Sequence, residues 1–299
     1  MKTRRLALSA AMAIGLTSAS AGCGRTDVAP PVATVSLSVK PTSVAVGAPV
    51  ELIYRFDVAP GASFANDYRV FVHVTRDDGT TMWNDDHDLP AGMQTSQWKP
   101  GQTIQYTRTR FVPMLSYLGE ATVRAGLYRE GERLPLAGQD PADRESPERS
   151  YKVATLDLLP RSVSIQVIRL SGWHPGEYAA EDSTIEWQWT QKLAILSLRN
   201  PRRDVWLYLE YDGRPDVFPD KPQQVTVSVG QAAVDTFAVD RLGTFLRKIP
   251  LTTAQLGGGD MTEMRIEVDR TFVPAKLPAG SRDPRELGIR VYHAFVEPR

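Results

Sequence analysis

YRVFVHVTRDDGTTMW, residues 68–83, decides the fold. Tyr68, Val70, Val72 and Val74 share one face at a spacing of two, the signature of a half-buried strand and not of a helix. Asp77-Asp78-Gly79 follows, and because Asp and Gly tolerate the positive φ that tight hairpins require, the chain is expected to reverse there. Met82-Trp83 is then the returning strand. The pattern extends both ways: 35–39 and 51–58 upstream, and 103–112, 120–128 and 151–158 downstream, read as about seven short strands punctuated by Pro41, Gly47 and Pro49. Residues 137–150 (AGQDPADRESPERS) are polar and Pro-containing, and are expected to form a mobile loop.

A second run of strands begins near 163–170 and continues through 185–189, 193–198, 205–211, 225–229, 234–239, 245–251, 264–268 and 287–295. Gly230-Gln231 reads as a hairpin tip, Gly257-Gly258-Gly259 as a flexible turn, and 251–256 as the one helical turn. The boundary falls near Leu159-Pro160-Arg161 with no long linker, so the halves are expected to pack together and share a groove. The fold class is all-β, with two β-sandwich domains, 34–159 and 160–299.

The chain's 35 basic and 35 acidic residues balance, which gives no basic face for nucleic acid. Met1 to Arg5 is cationic, Leu6 to Leu16 apolar and Thr17 to Gly22 small, the layout of a secretory signal too short to span a bilayer. Ser20-Ala21-Gly22-Cys23 resembles a bacterial lipobox, with Ser20 where leucine is usual. The resemblance implies cleavage of residues 1–22, lipid attachment at Cys23, and a tether over 23–33 stiffened by Pro30-Pro31. Loss of Lys2, Arg4 and Arg5 would leave 32 basic residues against 35 acidic. Cys23 is the sole cysteine, so an internal disulfide and a cysteine-based zinc site are excluded. Gly24 resembles the residue that sends a lipoprotein to the outer membrane rather than holding it at the inner one.

Candidate ligand residues come from two stretches. Trp83, Asp86, His87 and Trp98 set indole faces beside hydrogen-bonding groups, which suits sugar rings; core packing is the competing account of both tryptophans. A metal at Asp85-Asp86-His87-Asp88 is disfavoured against a capped polar turn, because no spacing there matches a calcium loop. Trp173 and Tyr178, in the Gly/Pro-rich GWHPGEY at 172–178, are expected to present a binding surface. Trp187 and Trp189 share a strand face and are assigned to the core. Arg285, in DPRELG at 283–288, is assigned an internal ion pair or loop carbonyls. No catalytic motif is present: Ser96-Gln97-Trp98-Lys99 matches S-x-x-K but runs into Pro100-Gly101, and no nucleophile elbow, zincin helix or phosphate loop occurs. No catalytic residue, metal or cofactor is therefore expected.

Phe71-Val72-His73-Val74, Asp86-His87, Trp98 to Gln102, Pro113, Gly126-Leu127-Tyr128 and Arg133-Leu134 resemble an immunoglobulin-like module of bacterial envelope proteins, similar to modules appended to membrane glycosyltransferases. Trp187 to Thr190, Phe272 to Ala275 and Asp283 to Arg290 resemble a jelly-roll-like module found in similar company. Together with the lipobox-like stretch, the missing catalytic motifs and the aromatic residues near polar turns, the resemblance leads to the expectation of a non-catalytic, lipid-anchored envelope protein, outer-membrane and facing periplasm or cell surface, accessory to polysaccharide. An adaptor for an envelope protein through sheet edges or the interdomain face is the alternative, and a glycan hydrolase the third.

Overall fold

The computed structural model describes residues 29–138, 148–161, 165–180, 185–278 and 281–299. The expected signal, Cys23 and the tether to residue 28 lie outside these residues, as does 139–147 of the expected mobile loop.

The first half contributes β1 (Ala33–Lys40), β2 (Ser43–Ala45), β3 (Pro49–Val58), β4 (Arg69–Thr75), β5 (Thr81–Asn84), β6 (Thr103–Phe111), β7 (Gly119–Arg129), β8 (Glu132–Arg133), β9 (Leu136–Ala137) and β10 (Tyr151–Leu159). One sheet has the order β6-β3-β1-β9 and the other β2-β10-β7-β4-β5, with β8 on β7. Val35, Leu37, Leu52, Tyr54 and Phe56 of the first sheet meet Val70, Val72, Val74, Val123 and Leu127 of the second in one buried cluster. Alternation along each strand delivers these residues inward, so the sandwich follows directly from the period-two pattern.

The 76–80 reversal forms as expected. Gly79 N–H donates to the Arg76 carbonyl at 3.0 Å and Asp78 Oδ1 accepts from Thr80 N–H at 2.8 Å. Only Gly79 takes positive φ (81°), and a register shift between Val74 and Thr75 absorbs the longer loop. This is a wider turn than the two-residue hairpin form.

The second half contributes β11 (Val167–Arg169), β12 (Glu177–Tyr178), β13 (Glu186–Trp189), β14 (Leu193–Arg199), β15 (Val205–Asp212), β16 (Gln223–Val229), β17 (Ala232–Val239), β18 (Phe245–Leu251), α1 (Thr253–Leu256), β19 (Met261–Val268) and β20 (Arg290–Pro298). The sheets are β11-β14-β19-β16-β17 and β12-β13-β20-β15-β18, closed over Leu196, Leu207, Leu209, Val227, Ile266 and Val291. The 257–259 turn is pinned: Asn200 Nδ2 donates to the carbonyls of Gly257 at 2.8 Å and Gly259 at 3.0 Å.

The two sandwiches meet over the outer face of β15 and β20. Phe111, at the end of β6, stacks on His293 with ring centroids 4.2 Å apart and planes 12° apart, and meets Phe295 edge-on. Lys248 Nζ donates to Glu51 Oε1 at 2.6 Å beside this stack. Aromatic contact thus covers apolar surface while charge pairs frame it.

Candidate functional site

Strand alternation builds one wall of the joint. Ile104 and Tyr106 of β6 point into the first core, and the same phase continues through Arg108 and Arg110. An arginine in an inward phase needs an acid, and Asp85, 4 % exposed, supplies it. Arg108 donates through Nε at 3.1 Å and Nη2 at 2.9 Å to the two Asp85 oxygens, and Tyr54 donates its hydroxyl at 3.2 Å. Arg110 Nε stands 3.0 Å from the same carboxylate, off the hydrogen-bond angle, and its Nη1 lies 3.8 Å from Glu210 Oε1 across the joint. Glu210 in turn meets His293 Nδ1 at 2.7 Å. A charged chain therefore runs from the first sandwich into the second.

A cleft of about 790 Å³ opens beside this chain, between Thr81, Trp83, Arg110 and Met114 on one side and Glu186, Glu210, Tyr292 and His293 on the other. It continues into a lobe of about 570 Å³ that shares Met114, Glu186, Tyr292 and His293 and adds Arg161, Gln166 and Arg169. Tyr292 donates its hydroxyl to Asp212 at 2.9 Å, and burial together with that carboxylate pushes its pKa up to about 12. The phenol therefore stays a donor at neutral pH. Glu186 has neither a hydrogen bond nor an ion pair among the described residues, so its carboxylate is free to accept from a ligand.

The candidate residues named from the sequence fall in several places. His87 is a core histidine: its Nδ1–H donates to the Asp85 carbonyl at 2.6 Å and its Nε2 accepts from the Tyr106 hydroxyl at 2.8 Å. Because a carbonyl can only accept, the neutral tautomer is fixed; burial, then the Arg108 charge, lowers the pKa to about 4. Asp86 accepts from Val72 N–H at 3.0 Å and braces the middle of β4. Trp98 lies in the first core between Phe56 and Phe64, and its Nε1–H donates to the Met93 carbonyl at 2.8 Å. Its faces are covered, so it presents no platform to a sugar. Trp83 is also in the core, 9 % exposed, and borders the cleft.

The display loop expected at 172–178 is laid against the sheet instead. Gly172 takes φ 78°, Trp173 bridges Thr190, and the indole folds inward to donate to the Ile195 carbonyl at 2.9 Å, with Arg169 over its ring. Tyr178 is 58 % exposed and pairs with Glu186, which puts an open ring beside the cleft. Trp187 and Trp189 do share a face, but it is the outer one, where Arg290 stacks between them and Asp212. They form a small cluster with Phe272 and Leu287, apart from the main core. Arg285 is held internally as expected, by Asp283 at 2.7 Å and Glu177 at 2.7 Å; its hydrogen bonds draw the Asp283 pKa down to about 2.

Alternation also disperses the acidic run. Asp85 and His87 face inward, Asp86 and Asp88 outward, and Asp88 pairs with Arg69 at 2.7 Å. Among the described residues no three His, Cys, Asp or Glu side chains converge as metal ligands. The cleft residues that sequence reading missed are Arg110, Glu186, Glu210, Tyr292 and His293, which come together only through the docking of two sheets.

No family model matches this chain, and no curated protein matches it. Solved structures with partial likeness include an alkylpurine DNA glycosylase of Pseudomonas fluorescens, 16 % identical over 43 % of this chain and 30 % of that one, with a TM-score of 0.27. A β-glucuronidase of Bacteroides uniformis is 10 % identical over 90 % of this chain and 30 % of its own, with a TM-score of 0.27. A carbohydrate-binding module of the β-sandwich superfamily is 10 % identical, covering 90 % of this chain and all of that one, with a TM-score of 0.24. The chain thus spans under a third of both enzymes, and superpositions this shallow carry no argument about ligand or reaction.

Proposed function

We propose that this chain is a non-catalytic, lipid-anchored accessory protein of the bacterial envelope that holds a glycan in the cleft between its two sandwiches. The observation that supports this reading is the lining of the cleft. An open cleft offers a free acceptor at Glu186, guanidinium donors at Arg110, and aromatic faces at Tyr292 and Tyr178. Sugar rings are recognised by this combination, in which hydroxyls pair with carboxylates and guanidinia while their C–H faces rest on an aromatic ring.

The lipobox-like Ser20-Ala21-Gly22-Cys23 supports the membrane anchor in this reading, and a Pro30-Pro31 tether would give the cleft reach away from it. Incorporation of labelled palmitate that is lost in Cys23→Ser tests the anchor. Electrophoresis of the full-length chain in mild detergent, through gels holding polysaccharides extracted from the producing cells, tests the ligand. Retardation by at least one polysaccharide, with no new reducing ends released, is the expected result. Unchanged mobility in every gel, with one stoichiometric envelope protein captured by crosslinking in intact cells, would replace the glycan reading with that of an adaptor.

A further inference from the structure

The second lobe of the cleft differs from the first in charge. In the first lobe Arg110 faces Asp85 and Glu210, and His293 faces Glu210, so each basic group there already has an acid. The second lobe adds Arg161 and Arg169, and neither has a carboxylate within ion-pair distance among the described residues. Among the described residues Glu186 is the one acid lining it.

Arg169 is held in place without a close ion pair among the described residues, the Glu186 carboxylate acting on it at longer range. Its strand β11 pairs with β14, Arg169 opposite Leu196, and its guanidinium rests over the Trp173 indole at 5.3 Å. The indole is itself fixed by its Nε1–H donating to the Ile195 carbonyl. A guanidinium fixed by stacking keeps its fork of N–H donors pointing edgewise, available to a planar or tetrahedral oxyanion. Arg161 lines the same lobe, and Glu186 joins it to the first.

We propose that the ligand carries an oxyanion, a uronate carboxylate or a phosphate ester, and that Arg169 and Arg161 take it at the second lobe while Glu186 accepts the hydroxyls of the neighbouring ring. This rests on the glycan reading of the cleft and narrows it to acidic glycans. The observations behind it are that two cleft arginines lack a close ion pair among the described residues, with Glu186 acting on Arg169 only at longer range, and that an aromatic seat lies beneath one of them.

The test is calorimetric titration of the full-length chain with three probes: a hexa-uronate, the same oligomer after reduction of its carboxyls to alcohols, and a phosphorylated neutral hexasaccharide. The hexa-uronate or the phosphorylated probe should bind roughly ten- to a hundredfold more tightly than the reduced oligomer, the range of a charge-assisted pair, and raised salt should narrow the gap. Which acidic probe binds identifies the oxyanion. Arg169→Gln and Arg161→Gln should each erase the preference while leaving binding of the reduced oligomer in place. Arg169→Lys, which keeps charge and loses the fork, should retain part of it; thermal unfolding of each variant checks that the Trp173 seat survives. Equal affinity for all three probes, unmoved by either substitution, would overturn the acidic-glycan inference and leave the glycan reading standing. No binding of any probe would overturn both.

Discussion

Acid should destabilise the first sandwich through His87. The ring is 5 % exposed, and its neutral tautomer satisfies both nitrogens, Nδ1–H donating to the Asp85 carbonyl and Nε2 receiving the Tyr106 hydroxyl. A proton on Nε2 removes the Tyr106 donation and adds charge near Arg108 and Arg110, and burial makes that charge costly, which is why the folded pKa falls from 6.5 to about 4. The unfolded chain, near 6.5, binds the proton first. Native stability is therefore intact above about pH 6.5, declines as pH falls through that value, and the loss is complete near pH 4. The two values differ by about 2.5, and at about 1.4 kcal/mol per pH unit the loss reaches about 3 kcal/mol. For a domain of this size that lowers Tm by roughly 10 °C. Differential scanning calorimetry between pH 7 and pH 4 measures it, with His87→Asn alongside. The variant starts lower at pH 7 but shows a shallower decline; a residual slope comes from His73, which burial also holds below its ordinary value. Asp283, at about 2, loses its contribution only between about pH 4 and pH 2, a separate window in the second sandwich. Equal slopes for the wild type and His87→Asn would refute the assignment of His87 as a buried neutral base.

Asp85→Ala should cost about 3 kcal/mol, the lower end for breaking a buried pair, since Arg108 and Arg110 keep 29 % and 35 % of their side-chain surface in water. Denaturant unfolding measures it, and combining Asp85→Ala with Arg108→Met should recover part of the loss. Two glycines at nearly the same φ should part company. Gly79→Ala, in open space at φ 81°, costs about 1–2 kcal/mol, whereas Gly172→Ala at φ 78° sets a methyl 1.8 Å from the Leu193 carbonyl oxygen and should prevent the second sandwich from folding normally. Near-ultraviolet circular dichroism of both variants reads the difference.

Much of this fold was legible because its strands are half-buried and alternate cleanly. β4 and β5 with their Asp-Gly turn, the tip at Gly230 and the α-helical turn α1 all follow from local chemistry. Short strands such as β8, β9 and β12 escaped, since two residues carry no period and pairing with a neighbouring strand alone makes them strands. The site was less legible because it belongs to no single stretch. Arg110 lies 100 residues from Glu210 in sequence and only 3.8 Å from it in space. Two signals did exist. Arg108 and Arg110 occupy the inward phase of β6, which demands a buried acid, and β15 (VWLYLEYD) is apolar on both faces through most of its length, which demands that something cover the second. Trp98 and Trp173 misled for the converse reason: a tryptophan in a turn-rich stretch looks displayed, yet each indole N–H found a backbone carbonyl and drew its ring inward.

Hydroxyl-radical footprinting of the full-length chain, with and without the polysaccharide that retards it, tests the central claim most directly. Met114, 53 % exposed, and Tyr292 are reactive side chains inside the cleft, while Met261, 49 % exposed on β19, stands outside it as a reference. The account predicts that ligand protects Met114 and Tyr292 and leaves Met261 as reactive as before. Protection confined to residues outside the cleft, with Met114 and Tyr292 unchanged, would contradict it.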